Sequence, residues 1–384
     1  MISAGAVPVT QQPAEQAGER YQMSTTLSQA SHQWASRPDD ERFVSLPEML
    51  ASQDAVRAAS RARVVSSRAL QVVSTADNRG LEIDGPNGQR YAPTNWAFGQ
   101  LAGLAESPAG YLRSLPSPIV ADALNFKLHY ARGVEDVGVL LYDNGEPILR
   151  AAIGPNYGRI WNTDVIRALT SRFGDGVSGD WKIPGEFGKA VEVTKKNTTL
   201  YASDRDMFVF LADEKNRIEI PNRRDGKPGA LARGFFLWNS EVGNTVLGLA
   251  SFLFDYACAN RIVWGAEGFQ QINIRHTSGA PDRWLEEVEP VLLAYANGSA
   301  KPVEDAIAAA QAKKIDDVDA FLKERFGKRL IEAVKSVHVA EEGRPIETLW
   351  DATAAITAYA RGVQHQDTRV ELERKGGEIL AMAA

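Results

Sequence analysis

Tyr157, Arg159 and Trp161 alternate along the chain, so on an extended strand all three side chains point to one face. Two aromatic rings with a guanidinium between them are the ingredients of a stacking platform for single-stranded nucleic acid. Each stacked base contributes roughly 1–3 kcal/mol without any reading of sequence. The competing reading has Trp161 closing the core, with Tyr157 and Arg159 on an ordinary rim. A second segment, KNRIEIPNRRDGKPGALAR, carries Lys215, Arg217, Arg223, Arg224, Lys227 and Arg233 against only Glu219 and Asp225. Its Pro, Gly and Asn content predicts an exposed loop between strands. Beside the aromatic face, Arg223, Arg224 and Lys227 would line a groove for a phosphate backbone, with marked salt dependence. By themselves they are a solvated loop.

Asp204, Asp206, Glu241 and His276 offer a different chemistry. Hard oxygen ligands suit magnesium or manganese, as in a nuclease or phosphotransferase. No spacing among the four is diagnostic, so no metal ligand is assigned. Glu241 also stands where a carboxylate favours the N-terminus of a following helix. His276 follows an apparent strand, as a hydrogen-bonding structural residue does. The chain has no Gly-x-Ser-x-Gly elbow and no phosphate-binding loop ending in Lys-Ser or Lys-Thr, which disfavours serine hydrolysis and P-loop ATP hydrolysis. No cofactor is expected.

A chain of 384 residues holds one large domain or two of ordinary size. The net charge of -6 argues against a uniformly basic nucleic-acid protein but leaves room for local patches. The single cysteine, Cys258, removes any intramolecular disulfide framework and any cysteine zinc cluster, and its apolar surroundings predict a core thiol. No uninterrupted apolar run is long enough for a bilayer, and the N-terminal residues lack the pattern of a secretory signal. A cytoplasmic protein with no membrane partner is the expectation.

The elements that must position these residues follow from local signals. Residues 1–40 read as a mobile arm, with Met23 an alternative start. Residues 56–70 carry Arg57, Arg61, Arg63 and Arg68 with no acid, either as a helix face or as a strand around Val64 and Val65. Three short helices follow: Thr94 caps the first, Pro108 separates it from the second, and Val120, Leu124 and Leu128 mark the third. They predict a helical N-terminal subdomain. VGVLLYDNGEPILRAAIG reads as a hairpin turning at Asp143-Asn144-Gly145. Thr163 or Asn162 caps a helix, and strands are expected at 190–193, 207–211, 218–220, 235–238, 261–264 and 270–274. VLGLASFLFDYACANRIVWG reads as an apolar helix containing Cys258, running into the 261–264 strand. Beyond Pro281 the pattern is helical. The expected fold is α+β: a mixed, mainly antiparallel sheet with packed helices in a core domain 41–280, then a helical region 281–384.

The blocks FGQLAGLAESPAGYLRSLP and AAIGPNYGRIWNTDVIRAL, the turn Asn239-Ser240-Glu241, the pair Cys258 and Asn260, His276, and the closing stretch ETLWDATAAITAYARGVQHQDTRVELERKGGEIL together resemble a phage and plasmid family, domain of unknown function 932. The resemblance covers most of the chain; Arg261, where a glycine is expected, and the N-terminal arm depart from it. It implies a role in the life of a mobile element. With the basic and aromatic residues, the expectation is a single-stranded-DNA-binding accessory protein acting in replication, recombination or strand protection. The alternatives are a metal-dependent nucleic-acid enzyme, or an interaction factor that counters a host defence through its acidic helices. Partners of host or phage origin, and a homo-oligomer, are compatible with this reading.

Overall fold

Ser45 ends an extended lead-in and starts the first helix: its hydroxyl accepts from Glu48 N at 3.2 Å, and Pro47 occupies the first turn. The computed structural model describes residues 37–85, 88–130, 135–184, 192–221, 229–255, 260–262, 271–363 and 366–383. Arg223, Arg224, Lys227, Cys258, Met23, nearly all of the N-terminal arm and residues 190–191 of one expected strand lie outside them. Among the described residues the fold is α+β, built on a nine-stranded and a six-stranded sheet.

The chain opens with β1 (Arg42–Phe43), α1 (Leu46–Ala58) and β2 (Ser60–Ser66). Thus Arg57 is helical while Arg61 and Arg63 lie on a strand, which resolves the open reading of this segment. Next come β3 (Gln71–Ser74), β4 (Leu81–Asp84), β5 (Arg90–Pro93) and three helices, α2 (Asn95–Leu104), α3 (Ala109–Leu112) and α4 (Ser117–Tyr130). The hairpin β6 (Asp136–Asp143) and β7 (Pro147–Ile153) turns through Gly145 at φ +96°. These strands form the small sheet in the order β2-β6-β7-β5-β4-β3, antiparallel except for β5 beside β7. Leu101, Leu124 and Leu128 from the helices pack on Val72, Ile83, Val139 and Leu149 of one face. The predicted helices exist, but the unit they belong to is α+β; β3, β4 and β5, four residues each, are too short for alternation to announce them.

The large sheet takes β1 and, after α5 (Asn162–Phe173), β8 (Trp181–Lys182), β9 (Leu200–Ala202), β10 (Met207–Asp213), β11 (Ile218–Ile220), β12 (Gly229–Asn239), β13 (Leu247–Asp255), β14 (Asn260–Ile262) and β15 (Gln271–Ile274). Its main path is β1-β9-β10-β12-β13-β14, antiparallel throughout. Phe235 and Leu237 face α1, α5 and α6 (Ala280–Asn297), while Phe236 and Trp238 join a second aromatic layer on the opposite face. Both faces of β12 are therefore buried.

The stretch expected to be an apolar helix is instead β13, paired residue by residue with β12 from Leu231↔Asp255 to Trp238↔Gly248. A strand covered on both faces has no polar alternate positions, so its sequence reads like a buried helix. Beyond α6 come α7 (Lys301–Ala312), α8 (Val318–Phe326), α9 (Ile331–Glu342), α10 (Leu349–Arg361) and α11 (Gln366–Ala381), the helical C-terminal region. Thr348 and Asp351 close a capping box on α10, and Trp350 and Ile356 pack against Ile218, Ile220, Leu231 and Leu253 of the sheet. Among the described residues no helix is long and apolar enough to cross a membrane.

The path between the sheets matters for the site. The small sheet is drawn from the single run 60–153, whereas the large sheet takes strands from before and after it. Small-sheet residues are thus nested inside the large sheet's sequence, and the return crossing is 154–161.

Candidate functional site

The return crossing holds Tyr157, Arg159 and Trp161. It is an extended loop rather than a strand, and the alternation holds: Gly158, Ile160 and Asn162 are buried while Tyr157, Arg159 and Trp161 are half-buried. Their side chains form a ladder with two neighbours. The Arg57 guanidinium lies 5.1 Å from the centre of the Trp161 ring, and Arg159 lies 5.6 Å from that ring and 5.8 Å from Tyr157. Tyr157 in turn stacks on His276 at 4.8 Å, with the rings 19° apart. Arg57 also pairs with Asp164 at 2.6 Å.

A polar turn beneath the ladder holds it in place. Asn239 and Ser240 are buried at the end of β12, and Glu241 follows. Asn239 Nδ2 donates to Ile160 O at 2.9 Å and to Asn162 Oδ1 at 2.8 Å. Tyr157 Oη donates to Ser240 O at 2.7 Å, and Arg159 Nε to Glu241 O at 2.8 Å. Glu241 Oε1 accepts the backbone N–H of Asn162, the first residue of α5, at 2.9 Å. The carboxylate expected at a helix N-terminus is at one, though the helix is α5 and not a helix following it in sequence. Glu241 Oε2 lies 3.0 Å from Arg150 Nη1, both side chains being buried.

Arg150 reaches Glu241 because of a β-bulge. Leu140 pairs with Ala151 and Leu141 with Leu149, leaving Arg150 as the extra residue of β7. Its guanidinium also donates to Ser60 Oγ at 3.3 Å. From the same sheet's helices, Trp96 Nε1 and Gln100 Nε2 donate to Val242 O at 3.0 and 2.6 Å.

His276 is anchored by Gly158. The glycine's N–H donates to His276 O, its carbonyl meets His276 Nδ1, both at 3.0 Å, and a Cβ on it would come within 1.8 Å of Thr277 O. Burial, aided by the Arg159 charge and opposed by the Gly158 hydrogen bond, lowers the His276 pKa to about 4. The imidazole is neutral at pH 7, so its Nδ1 is the donor to Gly158 O. Burial likewise raises the Tyr157 pKa and lowers that of Arg159, which remains a cation near neutrality.

Arg159 is the chemically available member of this group. Its Nε is committed to Glu241 O, while its two terminal nitrogens make no hydrogen bond to a described residue and are not sealed from solvent. Each aromatic ring, by contrast, already carries protein groups, so Tyr157 and Trp161 present edges to a ligand more readily than open faces.

Asp204, Asp206, Glu241 and His276 do not converge into a metal centre: among the described residues no group of three or more His, Cys, Asp or Glu is placed to hold an ion. Asp206 pairs with buried Arg37 and accepts from Asn244 at 3.0 Å, and Asp204 lies beside Arg205. Sequence reading missed Arg150 and Gly158, because a bulge residue and a close backbone approach leave no mark in local patterning. No family model matches the chain, and neither a curated protein nor a solved structure is significantly similar to it.

Proposed function

We propose that this chain binds single-stranded nucleic acid, with Arg159 contacting a phosphate and the edges of Tyr157 and Trp161 bordering the strand. The observation that carries the reading is the Arg159 guanidinium, held over two aromatic rings with its terminal nitrogens making no hydrogen bond to a described residue. A guanidinium oriented in advance loses little freedom on meeting a phosphate, and its planar fork matches two phosphate oxygens. Arg223, Arg224 and Lys227 fall in the sequence between β11 and the start of β12, the end opposite the Asn239–Glu241 turn, so they would meet only a strand long enough to run the length of β12. The motif resemblance to domain of unknown function 932 read from the sequence is the basis for proposing a setting in a phage or plasmid, with the protein acting in replication, recombination or strand protection in the bacterial cytoplasm.

The test is fluorescence anisotropy with labelled single-stranded and duplex DNA across a salt series. Single-strand binding should weaken with salt, and Arg159→Ala should weaken it by about tenfold or more while lowering the log–log salt slope by about 0.7, the value for one phosphate on a single strand. Arg159→Lys should retain the slope and part of the affinity. Absence of binding at low salt by a folded wild-type protein would exclude the proposal.

A further inference from the structure

We infer that β2 is a docking edge for an extended acidic segment of a partner protein, which adds to the small sheet as a further strand. β2 lies at the end of the sheet order and, among the described residues, pairs only with β6. The direction of its free hydrogen-bonding groups follows from two bonds at its ends. Asp143 N donates to Ala59 O and Ser67 N to Glu135 O. In an antiparallel pair hydrogen-bonded positions recur every second residue, so Arg61, Arg63 and Val65 direct their N–H and C=O groups to β6. Those of Ala62, Val64 and Ser66 point away from the sheet. Ser60 O, the first outward carbonyl, is taken by Arg61 Nη1 at 2.8 Å.

The strand is bare as well as unpaired. Arg61, Ala62, Arg63, Val64 and Ser66 are all exposed, Val64 by 58%. Its two faces differ in chemistry. Arg61 and Arg63 share the face of Leu141 and Val139, while Ala62 and Val64 share that of Leu140 and Gly138. An incoming strand therefore meets cations at one set of alternate positions and small apolar groups at the other. Arg63 has no hydrogen-bond or ion-pair partner among the described residues, and residues 56–70 include four arginines and no acid.

That pattern specifies the occupant. Two copies of this chain pairing edge to edge would bring arginines together, so the charge that deters self-association selects a partner carrying acids at every second position and apolar residues between them. Asp136, opposite Ser66, limits the acidic run at the far end of the strand.

The test uses the full chain and a fluorescein-labelled peptide alternating Glu and Val, long enough to span β2. Its controls are a peptide of the same composition with the acids grouped in one block, and the alternating peptide N-methylated at every second residue. The alternating peptide should bind, and the block and N-methylated peptides should bind more weakly by about fivefold or more, having lost strand hydrogen bonds. The double variant Arg61→Glu/Arg63→Glu should weaken binding on the order of tenfold, since each contact changes from attraction to repulsion. Ala62→Pro, which removes one outward N–H, should weaken it about fivefold, whereas Arg159→Ala should leave it unchanged. Equal binding of all three peptides would mean charge attraction without strand addition and would overturn the inference. So would failure of the alternating peptide to bind while Arg61→Glu/Arg63→Glu abolishes binding of single-stranded DNA, which would assign the edge to nucleic acid.

Discussion

Glu241 serves three partners at once: Oε1 holds the first turn of α5, Oε2 faces Arg150, and its carbonyl fixes Arg159. Glu241→Gln keeps an acceptor for Asn162 but strands a buried guanidinium. Removing one member of a buried pair typically costs about 3–5 kcal/mol, and urea unfolding should show a loss of that order. A metal ligand at this position would instead lose activity with little loss of stability. His276 gives a second expectation. Its folded pKa of about 4 lies below the ordinary value of 6.5, so its contribution is complete above pH 6.5 and declines as the pH falls toward 4, where the unfolded chain takes up a proton that the folded one refuses. The difference in urea stability between wild type and His276→Gln should therefore shift against wild type by about 2 kcal/mol between pH 7 and pH 5. An unchanged difference would place the imidazole in ordinary solvent. Both side chains were visible as chemistry in the sequence. Their partners were not: Asn162 lies 79 positions from Glu241 and Gly158 lies 118 from His276, and nothing local encodes such pairings.

Elements with local signatures were legible. The Asp143-Asn144-Gly145 turn and the Thr94 cap rest on interactions between near neighbours, and the strands at Met207 and Ile218 were marked by apolar runs even though their partners in β12 are distant. β13 was misread because burial on both faces erases the polar half of the alternation, and the bulge at Arg150 was invisible because it arises only when β7 meets β6. The loop carrying the ladder depends on a similar meeting, between Gly158 and the chain after β15. Gly158→Ala should push Thr277 away, break the paired bonds to His276 and cost about 2 kcal/mol or more in unfolding experiments. Tyr157 would lose its stacking partner, so the same variant should weaken any ligand held by Arg159.

At the scale of the whole molecule, the Arg150–Glu241 contact couples the two sheets, since one residue comes from each side of the junction. A double-mutant cycle measures that coupling. Arg150→Met and Glu241→Gln should each destabilise strongly, and the double variant should be more stable than the sum of the two losses predicts by about 1–3 kcal/mol, because it leaves no unpaired charge. Strict additivity would mean that this ion pair does not couple the sheets, leaving the junction to apolar packing and to the Trp96 and Gln100 hydrogen bonds to Val242.

The run 60–153 leaves the larger sheet's sequence beside Arg57 and returns at Trp161, and these two side chains touch. A segment whose ends meet in this way is a natural unit of transplantation: it can be excised and its flanks rejoined by a short link, or exchanged for another unit with adjacent termini. Glu241 sets the terms of any such graft. The host left behind would enclose a carboxylate whose cation had gone with the donated piece, so a successful replacement must bring its own arginine or be accompanied by the loss of the acid.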